Sequence, residues 1–247
     1  MPSTLPRDIQ EFLDQYPGGT NDKSRSANLK FYANERPCRP DNLLIDELHE
    51  QWWGDYEVLE YNHGYIQWLF PIREHGMNFQ SQPLQPHELE GMKANPKIIE
   101  RLRKSYELML DFYGMKLVSE ETGEISRSEN FKPRYRNLVR ASHNNLRISR
   151  ILKCLSEFGL ERLNAGFLLH ILNEQSEFQM VDTGGIRSSM DRWWANCIRD
   201  DAERNWIAEE IERVRARDGH IFTTDMYKKA LSNRRAEGVF PAHISNP

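Results

Sequence analysis

The stretch of chain that most constrains the fold is residues 62–74, with the sequence NHGYIQWLFPIRE. Its large apolar side chains follow one another too closely to be left in water: Tyr65, Ile66, Trp68, Leu69 and Phe70. Polar Asn62, His63 and Gln67 stand among them, and a buried polar group costs about 2 kcal/mol or more unless it is hydrogen-bonded. The sequence therefore predicts a buried segment in which Asn62, His63 and Gln67 belong to a satisfied polar network.

Length and composition set the class of protein. The chain has 247 residues, of which 38% are hydrophobic and 11% aromatic, enough to build a core in one large domain or two small ones. No run approaches the roughly 18 apolar residues of a membrane helix, and the N-terminus lacks a signal-peptide layout. The three cysteines form no CxxC pair, which fits a reducing compartment. We expect a soluble protein without a membrane span, inside the cell in the cytoplasm or the nucleus.

Apolar periodicity and capping residues predict an all-α fold of seven or more helices. The clearest helix covers residues 96–113, with Asn95 as its cap and a proline in its first turn. A second helix is expected from Asp41 to Gly54, and a third from residue 142 to 158, capped by a glycine. The only expected strands form a small hairpin around the turn at residues 122–123.

The pattern changes after residue 180, which predicts a division of the chain. We expect a compact multi-helix domain over residues 1–180 and a C-terminal helical extension over 181–247 that packs on it. Residues 188–217 are expected to form one long helix, or two joined by a kink. Its tryptophans should cover the first domain or a partner subunit, so a homo-oligomer through these helices is a further expectation.

Charge is segregated along the chain. Residues 41–60 carry seven acids and no Lys or Arg, whereas residues 127–153 carry eight bases and one acid. Charge patterning leaves two interpretations open: the blocks face each other or are solvated surfaces, or the basic block forms an anion site.

Several kinds of chemistry have no supporting motif. The eight histidines never fall in HExxH or HxxxH spacing, and no Cys/His cluster offers four zinc ligands. The glycine pairs lack the context of a phosphate-binding loop, and a GxSxG serine elbow does not occur. We expect no metal and no cofactor.

The segment of residues 142–153, SHNNLRISRILK, is the candidate for ligand chemistry. On a helix, His143, Arg147 and Arg150 share one stripe at i, i+4 and i+7. The fork of Arg147 is suited to a carboxylate or phosphate, and the helix start favours anions. In the alternative interpretation, Arg147 pairs with an acid of residues 41–60 and Asn144 serves as a cap.

Two weaker sites follow from residue type. His63 and His143 are candidate general bases, because imidazole titrates near neutrality, or they are core histidines that fix their neighbours. Asp46 and Glu50 lie one helical turn apart and are weak candidates to hold Mg²⁺ against a substrate phosphate, although a solvated helix face explains them more simply.

Both motifs resemble the conserved domain of the opioid growth factor receptor family. The resemblance rests on YNHGYIQWLFP at residues 61–71 and on SHNNLRISRILK at 142–153, with NLKFY at 28–32 and YELMLDFYG at 106–114. It covers about residues 28–177, the domain without the repetitive acidic tail of the vertebrate members. It implies a binding module, since those members are associated with an enkephalin-type peptide and with restraint of cell growth at the nucleus. The family supplies no catalytic residues to transfer.

Two functional hypotheses of different class follow. The first is a ligand-binding module for a peptide or small anionic molecule, in a receptor or growth-regulatory role, with no specific nucleic acid as partner. The second is an all-α enzyme of specialised small-molecule metabolism that acts on a carboxylate or diphosphate in an aromatic-lined pocket, with Mg²⁺ only for a diphosphate. The candidate ligand-binding residues are Asn62, His63, Gln67, Trp68, His143, Asn144, Arg147 and Arg150. A deep enclosed cavity would favour the enzyme, and a shallow groove on a solid core would favour the binding module.

Overall fold

A computed structural model describes residues 5–216 and 218–243 of the chain. Within them the fold is all-α, as predicted, with one small hairpin. The elements in chain order are α1 (Arg7–Leu13), α2 (Ala27–Tyr32), α3 (Ile45–Trp52), α4 (Tyr56–Tyr61), α5 (Ile66–Leu69), α6 (Pro86–Lys93), α7 (Pro96–Phe112), β1 (Met115–Leu117), β2 (Ile125–Arg127), α8 (Phe131–Arg140), α9 (His143–Glu157), α10 (Glu161–Ser176), α11 (Gly184–Arg192), a 3-10 turn (Trp194–Asn196), α12 (Asp201–Arg215) and α13 (Thr224–Glu237). None of the described helices has the length and apolarity needed to cross a bilayer.

The segment of residues 62–74, hereafter the central segment, has its apolar run in the core, as its composition predicts. Tyr65, Trp68, Leu69 and Phe70 are completely buried. Their polar atoms are satisfied by the main chain of other segments: the Tyr65 hydroxyl donates to the carbonyl of Leu59 at 2.9 Å, and the Trp68 indole N–H donates to a carbonyl at 2.9 Å. The aromatic residues of this segment are therefore part of the core.

Helix α7 forms where its sequence signals place it. The Asn95 side chain accepts a hydrogen bond from the amide of Lys97 at 3.1 Å, and Pro96 occupies the first helical position. Its apolar face is buried, and the helix contacts α2, α3 and α6. This helix is therefore one wall of the core on which the central segment packs.

The predicted hairpin is confirmed. Strands β1 and β2 pair antiparallel, with Lys116 opposite Ser126. Gly123, in the connecting turn, has a φ of +80°, and a Cβ at this position would lie 2.0 Å from the carbonyl oxygen of Arg162. A Cβ at Gly166 would lie 1.8 Å from the carbonyl oxygen of Gly123. Two glycines therefore let the hairpin tip approach helix α10 at backbone distance.

The structure differs from the sequence-based expectations in three places. Helix α3 begins at Ile45, because Glu47 accepts a hydrogen bond from the amide of Leu44, so the helix start expected at Asp41 is wrong. Helix α8 was not expected from the sequence, since its basic residues and Pro133 obscure the amphipathic pattern. Of the two alternatives for residues 188–217, one long helix is wrong, and the structure has two helices, α11 and α12, separated by a 3-10 turn, with Asp200 as the cap of α12.

The C-terminal helices pack on α9 and α10. Trp194 is fully buried against Phe167, and its indole N–H donates to the carbonyl of Asn145 at 3.1 Å. The Asn164 amide donates to the carbonyl of Cys197 at 2.9 Å. The division at residue 180 and the homo-oligomer both stay predictions, and the C-terminal helices help to hold α9 in place.

Candidate functional site

Arg147 joins helix α9 to the segment that leads into the core. Its Nη1 donates to the carbonyl of Leu59 at 2.7 Å, and its Nη2 donates to the carbonyl of Asn62 at 2.7 Å and to that of Glu60 at 3.2 Å. The residue is only 5% exposed. These three acceptors are therefore main-chain carbonyls, two of them in the acidic block of residues 41–60, and not carboxylates of that block. Anion binding by Arg147 stays a prediction, and it would require one of these acceptors to be displaced.

His63 lies at the end of the same arrangement. The Nη2 of Arg147 is 2.7 Å from Nδ1 of His63, and because a guanidinium only donates, Nδ1 accepts and the ring proton is on Nε2. The His63 pKa is lowered by partial burial and by the charge of Arg147. The His63 side chain is exposed, so its predicted burial is wrong: the buried run begins only at Tyr65.

Glu60 organises the start of helix α9. Its Oε1 lies 2.9 Å from Nε2 of His143, and its Oε2 accepts from the amides of Asn137 at 2.7 Å and Asn144 at 3.3 Å. The rings of His63 and His143 are 5.3 Å apart, centroid to centroid. The acidic and basic blocks therefore meet at Glu60, through a histidine and two amides.

Gln67 positions the loop that follows the central segment. It is buried, and its Oε1 accepts hydrogen bonds from the amide of Asn78 at 2.9 Å and the hydroxyl of Ser81 at 3.1 Å. Gly76 passes so close that a Cβ there would lie 2.1 Å from Oε1 of Gln67. Asn62 is half-buried and donates to Asp41 at 3.0 Å. The network predicted around Gln67 and Asn62 therefore holds the loop of residues 76–81 and the residues before α3.

Arg150 differs from Arg147 in having a free edge: its Nη1 and Nη2 groups have no hydrogen-bond partner among the described residues. Its Nε donates to the carbonyl of Phe70 at 2.8 Å, and no carboxylate of residues 5–216 and 218–243 lies within 4.0 Å of its guanidinium. Burial lowers the pKa of Arg150 to about 10, which leaves it charged at neutral pH. Arg150 is thus a partly buried cation without an ion-pair partner in the described chain.

Lys153, one turn further along α9, is fully paired. Its ammonium donates to the side chain of Asp8 at 2.9 Å, to the main-chain carbonyl of Asp8 at 3.2 Å and to Glu74 at 2.7 Å. Glu74 also accepts a hydrogen bond from the hydroxyl of Tyr16 at 2.7 Å. The two acids therefore satisfy all three N–H groups of the lysine.

These side chains line an open groove of about 370 Å³ between α9, the central segment and α1. The groove is bordered by apolar side chains, and two of them stand in solvent: Met77 is 95% and Leu146 is 75% exposed. Ile66 and Trp193 add apolar surface to the same groove. The site therefore combines an apolar entrance with Arg150, whose Nη1 and Nη2 groups have no hydrogen-bond partner among the described residues.

The structure separates the predicted ligand-binding residues into two groups. His63, Gln67, His143, Arg147 and Arg150 line the groove. The other three, Asn62, Asn144 and Trp68, lie behind it in the hydrogen-bond network or the core.

Sequence reasoning missed three charged residues of the groove: Asp8, Glu74 and Lys153. Lys153 could have been found from its i+3 spacing to Arg150, which places it on the same stripe. Asp8 and Glu74 carry no such signal, since only the tertiary fold brings them to α9.

The weak Mg²⁺ candidates lie elsewhere. Both carboxylate oxygens of Asp46 accept hydrogen bonds from Arg101, at 2.8 and 2.6 Å. The residues that the structure describes contain no group of three His, Cys, Asp or Glu side chains arranged to hold a metal ion. The carboxylate of Asp46 is thus engaged by an arginine, and Glu50 is exposed on α3.

Comparison with known proteins agrees with the motifs. Residues 21–227 match the family described as the opioid growth factor receptor conserved region. The opioid growth factor receptor of Mus musculus is 45% identical over 170 residues, which cover 68% of this chain and 27% of that protein. The opioid growth factor receptor of Homo sapiens is 43% identical over 203 residues, 81% of this chain and 30% of that protein.

A second group of relatives has a related name. The opioid growth factor receptor-like protein 1 of Mus musculus is 39% identical over 200 residues, 80% of this chain and 42% of that protein. The chain thus spans less than half the length of these curated relatives, and no solved structure matches it. The family match covers both of the motifs that build the groove, and the chain belongs to the opioid growth factor receptor conserved-region family.

Proposed function

We propose that this chain is a binding module whose groove takes a ligand with an apolar body and an anionic group, either a short peptide or a small molecule. The mouse and human relatives are named as receptors, which agrees with a binding role. Because the chain matches less than a third of those two proteins, a receptor or growth-regulatory role is itself part of this proposal.

The unpaired edge of Arg150 is the single observation that carries the proposal. A charged guanidinium that is partly buried has lost hydration, and the Phe70 carbonyl and the nearby charge of Glu74 compensate only part of that loss, since the pKa of Arg150 stays lowered. An anion that enters the groove restores a partner to the remaining N–H groups, and such charge-assisted hydrogen bonds are the strong ones. Arg150, rather than Arg147, is therefore the anion-binding residue of this proposal.

The apolar border supports the second half of the proposal. Met77 and Leu146 are large side chains that expose most of their surface at one groove. An apolar ligand that covers them gains roughly 25 cal/mol for each Å² removed from water. Single exposed apolar residues are ordinary on a protein surface, and their position beside a desolvated cation makes these two part of the site.

The form of the groove favours binding over the enzyme alternative. The aromatic side chains of the central segment are buried in the core and do not line the groove, which is open to solvent. Of the candidate bases, His63 uses Nδ1 to accept from Arg147, and His143 lies beside Glu60. In this proposal, the Nε2–H group of His63 donates a hydrogen bond to the ligand.

An intracellular location is part of the proposal. Cys38, Cys154 and Cys197 are all free and buried. Free thiols are typical of proteins in reducing compartments. The cytoplasm or the nucleus is therefore the compartment that agrees with the described chain.

The test uses 2-naphthoate, an aromatic monocarboxylate, titrated into the protein while amide chemical shifts are recorded. We expect saturable shifts in α9 and in residues 63–77, with affinity at least tenfold weaker in Arg150→Gln. Arg140→Gln, which removes the same charge from the exposed end of α8, is the matched control and should bind normally.

A second variant guards against misfolding. Leu146→Asp adds a negative charge at a side chain that is 75% exposed, so it leaves the core intact while it repels the carboxylate. Equal affinity in Arg150→Gln, Leu146→Asp and the wild type would overturn the proposal, as would an absence of binding in the wild type.

A further inference from the structure

We infer that Asp8, on the N-terminal helix, restricts the groove to ligands with a single negative charge, so that a monocarboxylate is accepted and a phosphate or diphosphate is rejected. The inference rests on the proposed function, because it concerns the ligand class of the same groove. It assigns a specificity-determining role to a residue outside the segment of the family match, which begins at residue 21.

The ammonium group of Lys153 has no N–H group left to donate to a ligand. The residue is only 2% exposed, and its three N–H groups are directed at Asp8 and Glu74. An entering anion would have to displace one of these acids to reach the ammonium group. Lys153 therefore fixes the positions of Asp8 and Glu74 and does not itself act as an anion-binding group.

The charges at this end of the groove are balanced. Arg150 and Lys153 contribute two positive charges, and Asp8 and Glu74 contribute two negative charges. One carboxylate of a ligand finds the free edge of Arg150. A further negative charge finds no unpaired cation among these four residues and meets the field of the two acids.

Asp8 is held in place by the core, and its side chain is accessible to a ligand in the groove. Helix α1 is anchored by Ile9 and Phe12, which are completely buried, and Arg199 donates to the carbonyl of Phe12 at 3.2 Å. The Asp8 side chain nevertheless remains 46% exposed where it lines the groove. A negative charge is therefore presented to any ligand from a position that the core holds in place.

A phosphate ester carries more negative charge than a carboxylate, and the charge of Asp8 repels it more strongly. At pH 7 a phosphate monoester carries about −1.5 to −2 charges, whereas a carboxylate carries one. A phosphate is tetrahedral and larger than a planar carboxylate, but both suit an arginine fork. Charge is therefore the difference between them on which Asp8 acts, and a substitution that removes only the charge of Asp8 isolates it.

The experiment compares 2-naphthoate with 2-naphthyl phosphate at pH 7.5 in the full chain, by calorimetry and amide chemical shifts. The wild type should prefer the carboxylate. Asp8→Asn keeps an oxygen that can accept from Lys153 and removes the charge, so the affinity ratio should move toward the phosphate by about 3-fold to 10-fold, the scale of one extra charge at a solvated site. Glu74→Gln, at the same end, should move it in the same direction.

Asp14→Asn is the matched control, because Asp14 ends the same helix but is exposed and does not line the groove. It should leave the ratio unchanged. If the wild type binds 2-naphthoate and neither Asp8→Asn nor Glu74→Gln moves the ratio, the inference is wrong while the proposed function stands. If the wild type binds neither probe, the proposed function is wrong and the inference with it.

Discussion

The guanidinium of Arg147 and the imidazole of His63 are joined by a 2.7 Å hydrogen bond between residues that are 84 positions apart in the chain. The same guanidinium also binds the carbonyls of Leu59, Glu60 and Asn62. One arginine of α9 therefore fixes the whole turn between α4 and the central segment. This contact separates the role of Arg147 from that of Arg150, which has a free edge toward the groove.

Replacing Arg147 tests this separation. Arg147→Lys keeps the charge but cannot serve the Leu59 and Asn62 carbonyls with a planar fork, so buried acceptors lose their donors. We expect the free energy of unfolding to fall by about 3 kcal/mol, measured by chemical denaturation. Arg140→Lys, on the surface, should leave it unchanged. Unchanged stability together with lost 2-naphthoate binding would instead make Arg147 the anion-binding residue.

The hairpin tip tests the close approach to α10. Gly123→Ala places a methyl group against the carbonyl oxygen of Arg162 and requires an unfavourable φ of +80°, so it should lower the free energy of unfolding by at least ~2 kcal/mol. Gly184→Ala, at the start of α11 with open space around it, is the control and should be neutral or slightly stabilising. Equal melting temperatures for the two variants would contradict the packing described for Gly123.

Thiol chemistry tests the burial of the cysteines. Burial raises the pKa of all three thiols, that of Cys197 to about 12, so their thiolate forms are scarce at pH 8. We expect no reaction of the native protein with an aromatic disulfide reagent within minutes, and three equivalents after denaturation. Rapid titration of a thiol in the folded protein would show that one of the three is accessible.

Two buried histidines predict a loss of stability in acid. Burial lowers the pKa of His49 from 6.5 to about 4 and that of His170 to about 3. The unfolded chain therefore takes up protons below about pH 6.5 while the folded chain does not, so this part of the stability is present above pH 6.5 and is lost as the pH falls. Each histidine should contribute a slope of up to about 1.4 kcal/mol per pH unit until its folded pKa is reached.

Urea denaturation between pH 7 and pH 4.5 measures this slope. The double variant His49→Gln, His170→Gln should show a smaller slope than the wild type, whatever its absolute stability. His75→Gln, at an exposed position, should keep the wild-type slope. The histidine account fails if the double variant and the wild type lose stability in parallel.

Much of the fold follows from local signals in the sequence. The core position of Trp68 and its neighbours follows from their apolarity, and α7 from its cap and first-turn proline. The hairpin follows from the turn at Gly123. These elements depend on residues adjacent in sequence, which is why pattern and propensity suffice for them.

The candidate site depends instead on contacts between distant residues. His63 looks buried in the sequence because of the aromatic residues that follow it, but α4 ends at Tyr61 and the buried run starts at Tyr65. The partners of Arg147 are carbonyl groups, which every residue carries, so no side-chain pattern reveals them. Asp8 reaches Lys153 across 145 positions. Arg147 and Arg150 look equivalent in the sequence. Tertiary packing alone decides that the guanidinium N–H groups of Arg147 have acceptors in the protein while Nη1 and Nη2 of Arg150 have none among the described residues.

The most direct measurement of the central claim is a crystal structure of the protein soaked with 6-bromo-2-naphthoate, located by the anomalous signal of bromine. We expect the bromine in the groove beside Leu146 and Met77, with the carboxylate about 2.7–2.9 Å from the guanidinium of Arg150. A ligand that occupies another part of the surface, or lies in the groove with its carboxylate turned away from Arg150, would contradict it.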